Sequence, residues 1–242
     1  MSADAPRMLD ARRTVEARRM VVEACRVLYR LGLVDYMGHP SVRLPGDLML
    51  IKPRHSLDIS RPDRITPDQL AVIDLDGTLV EGEHEPPGER FIHTAIYRAR
   101  PDVHAIVHTH QPMATVMGIA GEPILPVLHV QSELVRTPVP VWPCAKLVTD
   151  ERLGDQLAEA LGQHRVCHLR GHGIVSVARE LPEAVVNAIH LEQLAEANWK
   201  VRAIRGRPRV IPDDEIDQRA AAGSSWEVRW RYYSQITEGA NP

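Results

Sequence analysis

Val103-His-Ala-Ile-Val-His-Thr-His110 is the stretch on which the reading of the chain turns. From Ala105 to His110 apolar and β-branched residues dominate, which predicts a strand. Side chains on a strand alternate between faces, so His108 and His110 share one face and Thr109 takes the other. Two imidazoles on a rigid strand form half of a metal site. A catalytic metal commonly keeps three protein ligands and one open position, so a third ligand is expected from another element. Of the 12 histidines in the chain, His172 is the best placed, because Gly171 and Gly173 let the backbone turn sharply and present the ring. His129 comes second, and His168 and His190 follow.

Outward from this strand, Pro86-Pro-Gly88 breaks the chain and a helix runs from Glu89 to Arg100. Glu89, in the first turn of this helix that leads into the strand, is the candidate acid or base. A helix start favours the ionised carboxylate, whereas burial would raise its pKa. Upstream, residues 1–9 read as a disordered lead-in and 10–31 as an amphipathic helix stopped by Gly32. Ser41–Leu44 and Leu48–Lys52 form a hairpin around Pro45-Gly-Asp47, and 70–75 with 78–80 form another around Asp76-Gly77. Downstream, a short helix spans 112–119. A Pro-rich stretch, 123–143, carries one or two short strands. A helix follows at 150–163, then strands at 166–169 and 173–177. The longest helix runs from Pro182 to Arg205. The division expected is one domain over 10–206, with 207–242 as a C-terminal extension. Hairpins followed by mixed strands and helices argue for a mixed or antiparallel sheet covered by helices, not a doubly wound parallel sheet.

The bulk numbers exclude several classes. The chain has 242 residues, a formal charge of −3 and 44% hydrophobic residues, as an ordinary globular protein does. No basic field calls for nucleic acid, and no apolar run approaches the ~20 residues of a membrane span. Cys25, Cys144 and Cys167 are odd in number and far apart, which fits core residues in a reducing cytoplasm. A dinucleotide or phosphate-loop fingerprint is absent from the sequence.

The run Glu89-Arg-Phe-Ile-His-Thr-Ala-Ile-Tyr-Arg-Ala-Arg-Pro-Asp-Val-His-Ala-Ile-Val-His-Thr-His110, followed by Gly171-His-Gly-Ile-Val175, closely resembles the class II aldolase/adducin family. The likeness extends from about residue 15 to 206. It implies an α/β fold of three layers, α/β/α, with a largely antiparallel central sheet, assembled as a homotetramer. It implies one divalent metal ion per subunit held by His108, His110 and His172, with Glu89 as the acid/base. Three imidazoles suit zinc, and manganese, iron or cobalt would also bind. Family active sites lie at subunit interfaces, where the C-terminal segment of a neighbour contributes. Here that would be Tyr232 or Tyr233 within an extension packed at the interface.

The departure from the family bears on the reaction. Sugar-phosphate aldolases of the family carry Gly-rich and Ser-Gly loops that wrap a phosphate. Here Tyr36-Met-Gly-His-Pro-Ser-Val-Arg43 and Ile51-Lys-Pro-Arg-His55 stand in those places. His39, Arg43, Lys52, Arg54 and His55 replace the phosphate cradle, and arginine grips a carboxylate bidentately. The Gly-His-x-Ser-x-Arg variant resembles the subgroup that decarboxylates hydroxylated aromatic or pyridine dicarboxylates, dihydroxyphthalates among them. That resemblance implies non-oxidative loss of carbon dioxide, with the electrons left behind held in a metal-stabilised enolate. The expected substrate-binding residues are His39, Ser41, Arg43, Arg54 and Tyr232. Two other readings stay open: a class II aldolase acting on a hydroxy-keto or sugar-phosphate substrate, and a non-enzymatic adducin-like scaffold.

Overall fold

The computed structural model describes residues 4–223 and 225–238, with side chains from Thr14 onward. Helix α1 spans Asp4–Arg30. It starts six residues before the helix expected at residue 10 and so takes in most of the stretch read as a disordered lead-in. Residues 1–3 of that stretch lie outside the described residues. Strands β1 (His39–Leu44) and β2 (Leu48–Ile51) form the first hairpin, and β3 (Ala71–Asp74) and β4 (Leu79–Glu81) the second. Gly46 and Asp47 turn the first with φ of 78° and 55°, the left-handed conformations that short hairpin loops require. Helix α2 (Arg90–Ala99) leads into β5 (Ala105–Thr109). Then come α3 (Pro112–Ala120), the short β6 (Val141–Trp142), α4 (Glu151–Leu161), β7 (Val166–Leu169) and β8 (Gly173–Ala178). Helices α5 (Leu181–Ala203), α6 (Asp213–Ala221) and α7 (Trp226–Glu238) complete the chain.

The eight strands form one sheet in the order β4-β3-β2-β1-β5-β8-β7-β6. Every neighbouring pair is antiparallel except β6 with β7. The largely antiparallel α/β/α architecture expected from the sequence is therefore the one observed. Strand alternation distributes side chains between two cores. Leu50, Val107 and Ile174 face α1, α3 and α5, while Met49, Ile51, Ile106 and Val175 face α2 and α4. His108 has the parity of Ile106, so it projects from the α2 face. Thr109 has the parity of Val107, and its hydroxyl reaches Gln111, whose amide donates to Ala188 O on α5.

Helix α7 packs on α5 and α1 of its own chain. Gln193 donates to the Tyr233 hydroxyl at 3.1 Å, and Ser234 bonds Glu23. Among the described residues no helix is long and apolar enough to cross a membrane.

Candidate metal centre

The site begins with two close approaches of backbone. Gly38 stands before β1 with φ 82°, and a Cβ there would lie 2.5 Å from Val34 Cγ1 and 3.2 Å from His108 O. Only glycine lets β1 start against the end of β5, which pairs His39 with His108 across the ladder. On the other flank a Cβ on Gly173 would collide with Thr109 O. Its absence lets β8 pair along β5 as far as Ile174 with Thr109. Gly171, at φ 68°, makes the preceding turn. Gly171 therefore makes the turn that the sequence suggested, Gly173 acts by close approach instead, and His172 arrives beside His110.

One ligand atom each from Glu89, His108, His110 and His172 lies within 4.8 Å of the others. His108 Nε2 is 3.0 Å from His110 Nε2. Glu89 Oε2 is 3.4 Å from His172 Nε2 and 4.0 Å from His108 Nε2. Bonds of 2.0–2.1 Å in a tetrahedron have edges of about 3.3 Å, so these separations suit a divalent ion. The tautomer fits as well. His108 Nδ1 lies 3.0 Å from Ile174 O, and a carbonyl only accepts. The proton therefore sits on Nδ1, and the Nε2 lone pair faces the cluster. Burial, followed by the neighbouring imidazoles, pushes His108 well below the ordinary histidine pKa. Burial and then His172 lower His110. Neutral imidazoles are the form that binds a metal.

Glu89 is the N-cap residue of α2, yet its side chain makes no capping bond. Instead Oε1 accepts the Val148 N–H at 2.9 Å, which turns Oε2 toward His172. Burial pushes the carboxyl pKa up. The bonds and charges of His172, the Val148 N–H and His110 outweigh burial, and the net shift is downward. The carboxylate is the resting form.

A cavity of about 270 Å³ adjoins the cluster, lined by His39, Lys52, Arg54, His55, Glu89 and His110 among others. Lys52 is only 2% exposed. Its ammonium donates to Tyr36 O and Pro53 O, each at 3.4 Å, and burial lowers its pKa. Behind His39 runs a line of polar groups. His39 Nδ1 is 2.8 Å from His93 Nε2, His93 Nδ1 is 2.6 Å from Ser41 Oγ, and Ser41 Oγ is 2.8 Å from the Tyr97 hydroxyl.

Of the residues put forward from the sequence for substrate binding, His39 and Arg54 line the cavity and the other three do not. Ser41 is buried behind His39 and touches His93 and Tyr97. Arg43 shares the face of His39 but lies four residues along the strand, roughly 13 Å away. Its guanidinium donates to Tyr97 O at 2.5 Å, Arg100 O at 3.2 Å and Val103 O at 3.1 Å. It sits at the C-terminal end of α2, a favourable place for a cation, and is not among the residues lining the cavity. Tyr232 is 57% exposed on α7 and outside this cavity of its own chain. The alternative histidine ligands, His129, His168 and His190, are not in the cluster.

Two members of the site have no part in the sequence reading. His93 stands four residues after Glu89 and four before Tyr97, a helical spacing that puts all three on one face. Val148 contributes a backbone N–H, for which no side-chain signal exists.

Comparison with known proteins adds four findings. Residues 19–199 match the family described as Class II Aldolase and Adducin N-terminal domain. The chain is 32% identical over 228 residues to 3,4-dihydroxyphthalate decarboxylase of Arthrobacter keyseri, covering 89% of this chain and 92% of that protein. It is also 32% identical over 206 residues to 5-methylthioribulose-1-phosphate/5-deoxyribulose-1-phosphate aldolase of Rhodospirillum rubrum, covering 84% and 89%. A solved L-fuculose 1-phosphate aldolase superposes with a TM-score of 0.74 at 26% identity, covering 86% of this chain and 95% of that one.

Proposed function

The chain belongs to the class II aldolase and adducin family, and from that premise we propose that it decarboxylates a hydroxylated aromatic dicarboxylate of the dihydroxyphthalate kind. One observation carries the choice: Lys52 and Arg54 line the same cavity as Glu89 and His110. Identity to a decarboxylase and to an aldolase is equal at 32%, so overall likeness does not separate the two reactions. The charge on the cavity wall favours the decarboxylase. A buried ammonium and a guanidinium suit a substrate that keeps one carboxylate while it loses another.

His108, His110 and His172 are the residues that would hold a divalent ion, with zinc the first choice for three imidazoles. Such an ion supplies Lewis acidity to a substrate oxygen beside the bond that breaks. Arg54 and Lys52 grip the retained carboxylate and orient the ring, with His39 beside them. Glu89, held through Oε1 by Val148, is placed to take up the proton of the substrate's ring hydroxyl and to return it to the ring carbon that carbon dioxide leaves. One proton enters the product for each carbon dioxide released. The assembly in this reading is a homotetramer with the extension 207–242 at subunit interfaces. The exposed Tyr232 is then available to close a neighbour's cavity.

The second reading, a class II aldolase, draws on the Rhodospirillum rubrum relative and the L-fuculose 1-phosphate aldolase fold. The two are separated by incubating metal-loaded protein with 3,4-dihydroxyphthalate and with L-fuculose 1-phosphate. Metal-dependent carbon dioxide release from the first, with no aldehyde from the second, is the expected result. Aldehyde release alone would establish the aldolase. Neither product, together with no uptake of any divalent ion, would leave the scaffold reading.

A further inference from the structure

Four buried side chains form one unbroken line leading away from the metal-centre cavity. His39 lines the cavity, and its Nδ1 is 2.8 Å from His93 Nε2. His93 Nδ1 is 2.6 Å from Ser41 Oγ, which is 2.8 Å from the Tyr97 hydroxyl. None of the four is more than 6% exposed. A hydroxyl or a neutral imidazole carries a single polar proton, so the direction of one bond sets the direction of the others.

The far end of the line decides that direction. The Tyr97 hydroxyl also lies 3.4 Å from His104 O, a carbonyl that only accepts. With the Tyr97 proton on that carbonyl, Ser41 donates to Tyr97 and His93 Nδ1–H donates to Ser41. His39 Nδ1–H then donates to His93 Nε2. This order makes every contact in the line a hydrogen bond, whereas the reverse order forfeits the one to His104 O. Burial holds His93 neutral, with its pKa down at about 3. The His39 ring contacts those of His93 and His108, at 4.9 and 5.1 Å between centroids, where a buried charge is disfavoured. His39 Nε2 is therefore a bare lone pair, left to the cavity. A lone pair repels a carboxylate and accepts from a donor. Lys52 and Arg54 on the same wall suit the retained carboxylate, which leaves His39 to a hydroxyl.

Building on the function proposed above, we propose that His39 is a specificity residue that accepts a hydrogen bond from a second ring hydroxyl of the substrate, one not beside the departing carboxylate. His93, Ser41 and Tyr97 are positioning residues that fix its tautomer. The substrate class narrows to dihydroxylated rings.

The test is calorimetric titration of the zinc-loaded full chain with phthalate and with 4-hydroxyphthalate, whose hydroxyl is next to neither carboxylate. The wild-type chain should bind 4-hydroxyphthalate roughly three- to tenfold more tightly, the scale of one net hydrogen bond. His39→Leu should abolish the difference. Tyr97→Phe keeps the packed ring and removes the group to which Ser41 donates. Ser41 then donates to His93 Nδ1, both imidazoles reverse their tautomers, and His39 turns an N–H to the cavity. The preference for the hydroxyl should shrink in this variant, with phthalate bound no more weakly than before. Damage to the fold would instead weaken both ligands alike. The proposal is overturned by equal wild-type affinities, by no binding of either diacid, by a preference unchanged in either variant, or by a variant that loses both ligands together. Carbon dioxide release from 3,4-dihydroxyphthalate is measured on the same wild-type protein. Release alongside an unchanged preference overturns the role of His39 alone. No release overturns the proposed function, and the affinities still decide the role of His39.

Discussion

The Val148 N–H donates to Glu89 Oε1 at 2.9 Å, across 59 residues of chain. This bond fixes one carboxylate oxygen to the backbone and leaves the other facing His172 at 3.4 Å. Glu89→Gln keeps an acceptor for Val148 and removes both the charge and the transferable proton. Three imidazoles remain to hold the metal. The variant should therefore retain its metal by elemental analysis and its melting temperature, while kcat falls by roughly 10²–10⁴. A variant that loses metal in step with activity would show that Glu89 serves chiefly as a ligand.

Arg43 and Arg54 are both near the first hairpin, but only Arg54 lines the cavity beside the cluster. Arg43 satisfies three carbonyls at the end of α2, and removing a charged donor from such groups costs about 1–3 kcal/mol. Arg43→Ala should lower the denaturation midpoint and leave KM for the carboxylate substrate unchanged. Arg54→Ala should do the reverse, raising KM tenfold or more with little change in stability. Chemical denaturation and initial-rate kinetics on the two variants decide. A raised KM in Arg43→Ala at native stability would return that residue to the substrate.

The contrast shows what a sequence can and cannot place. Parity along β1 puts His39, Ser41 and Arg43 on one face, and the structure agrees. Parity carries no information about which end of the strand meets the site, and neither does the Gly-His-x-Ser-x-Arg motif that proposes all three as substrate-binding residues. The clustering of His108, His110 and His172 was legible because its signals are local: His-x-His on a strand, and a histidine between glycines at a turn. Strand β7 was readable to the residue from its apolar run, bounded by Arg165 and Arg170. His93 left only a helical spacing to Glu89, and that spacing has value only once Glu89 is known to matter. The grip of Val148 on Glu89 belongs to the backbone of a loop and could not be read from residue types.

Gly173 offers a test of how closely the ligand geometry depends on backbone approach. Any Cβ there meets Thr109 O, a backbone atom that cannot step aside as a flexible side chain would. Gly173→Ala should push the start of β8 away from β5 and carry His172 with it. The expected cost is about 1–3 kcal/mol of stability, the usual range for overpacking, with metal affinity reduced more than in Gly171→Ala. Gly171 has open space around its Cβ position, although its positive φ still strains an alanine. Metal titration of both variants provides the measurement. Equal affinities would show that His172 is positioned by something other than the Gly173–Thr109 contact.

Acid stability follows from buried histidines outside the metal cluster itself. Burial holds His93 down to about 3, and His168 and His190 down to about 4. In the unfolded chain each titrates near 6.5, so between these values the unfolded state binds more protons than the folded one. Their neutral forms therefore support the fold fully above pH 6.5, and that support is lost as pH falls toward 4. At pH 5 each such histidine costs ~2 kcal/mol relative to neutral pH. His168 isolates the effect, because it is 3% exposed on β7 and belongs neither to the metal cluster nor to the cavity beside it. His168→Gln removes one titrating group from the core. Denaturation measured at intervals from pH 7 to pH 4.5 should give an acid limb shallower by about one proton, ~1.4 kcal/mol per pH unit. This should hold whatever the substitution does to stability at pH 7. An unchanged slope would mean that His168 takes up its proton in the folded state, and that its burial does not exclude the charge.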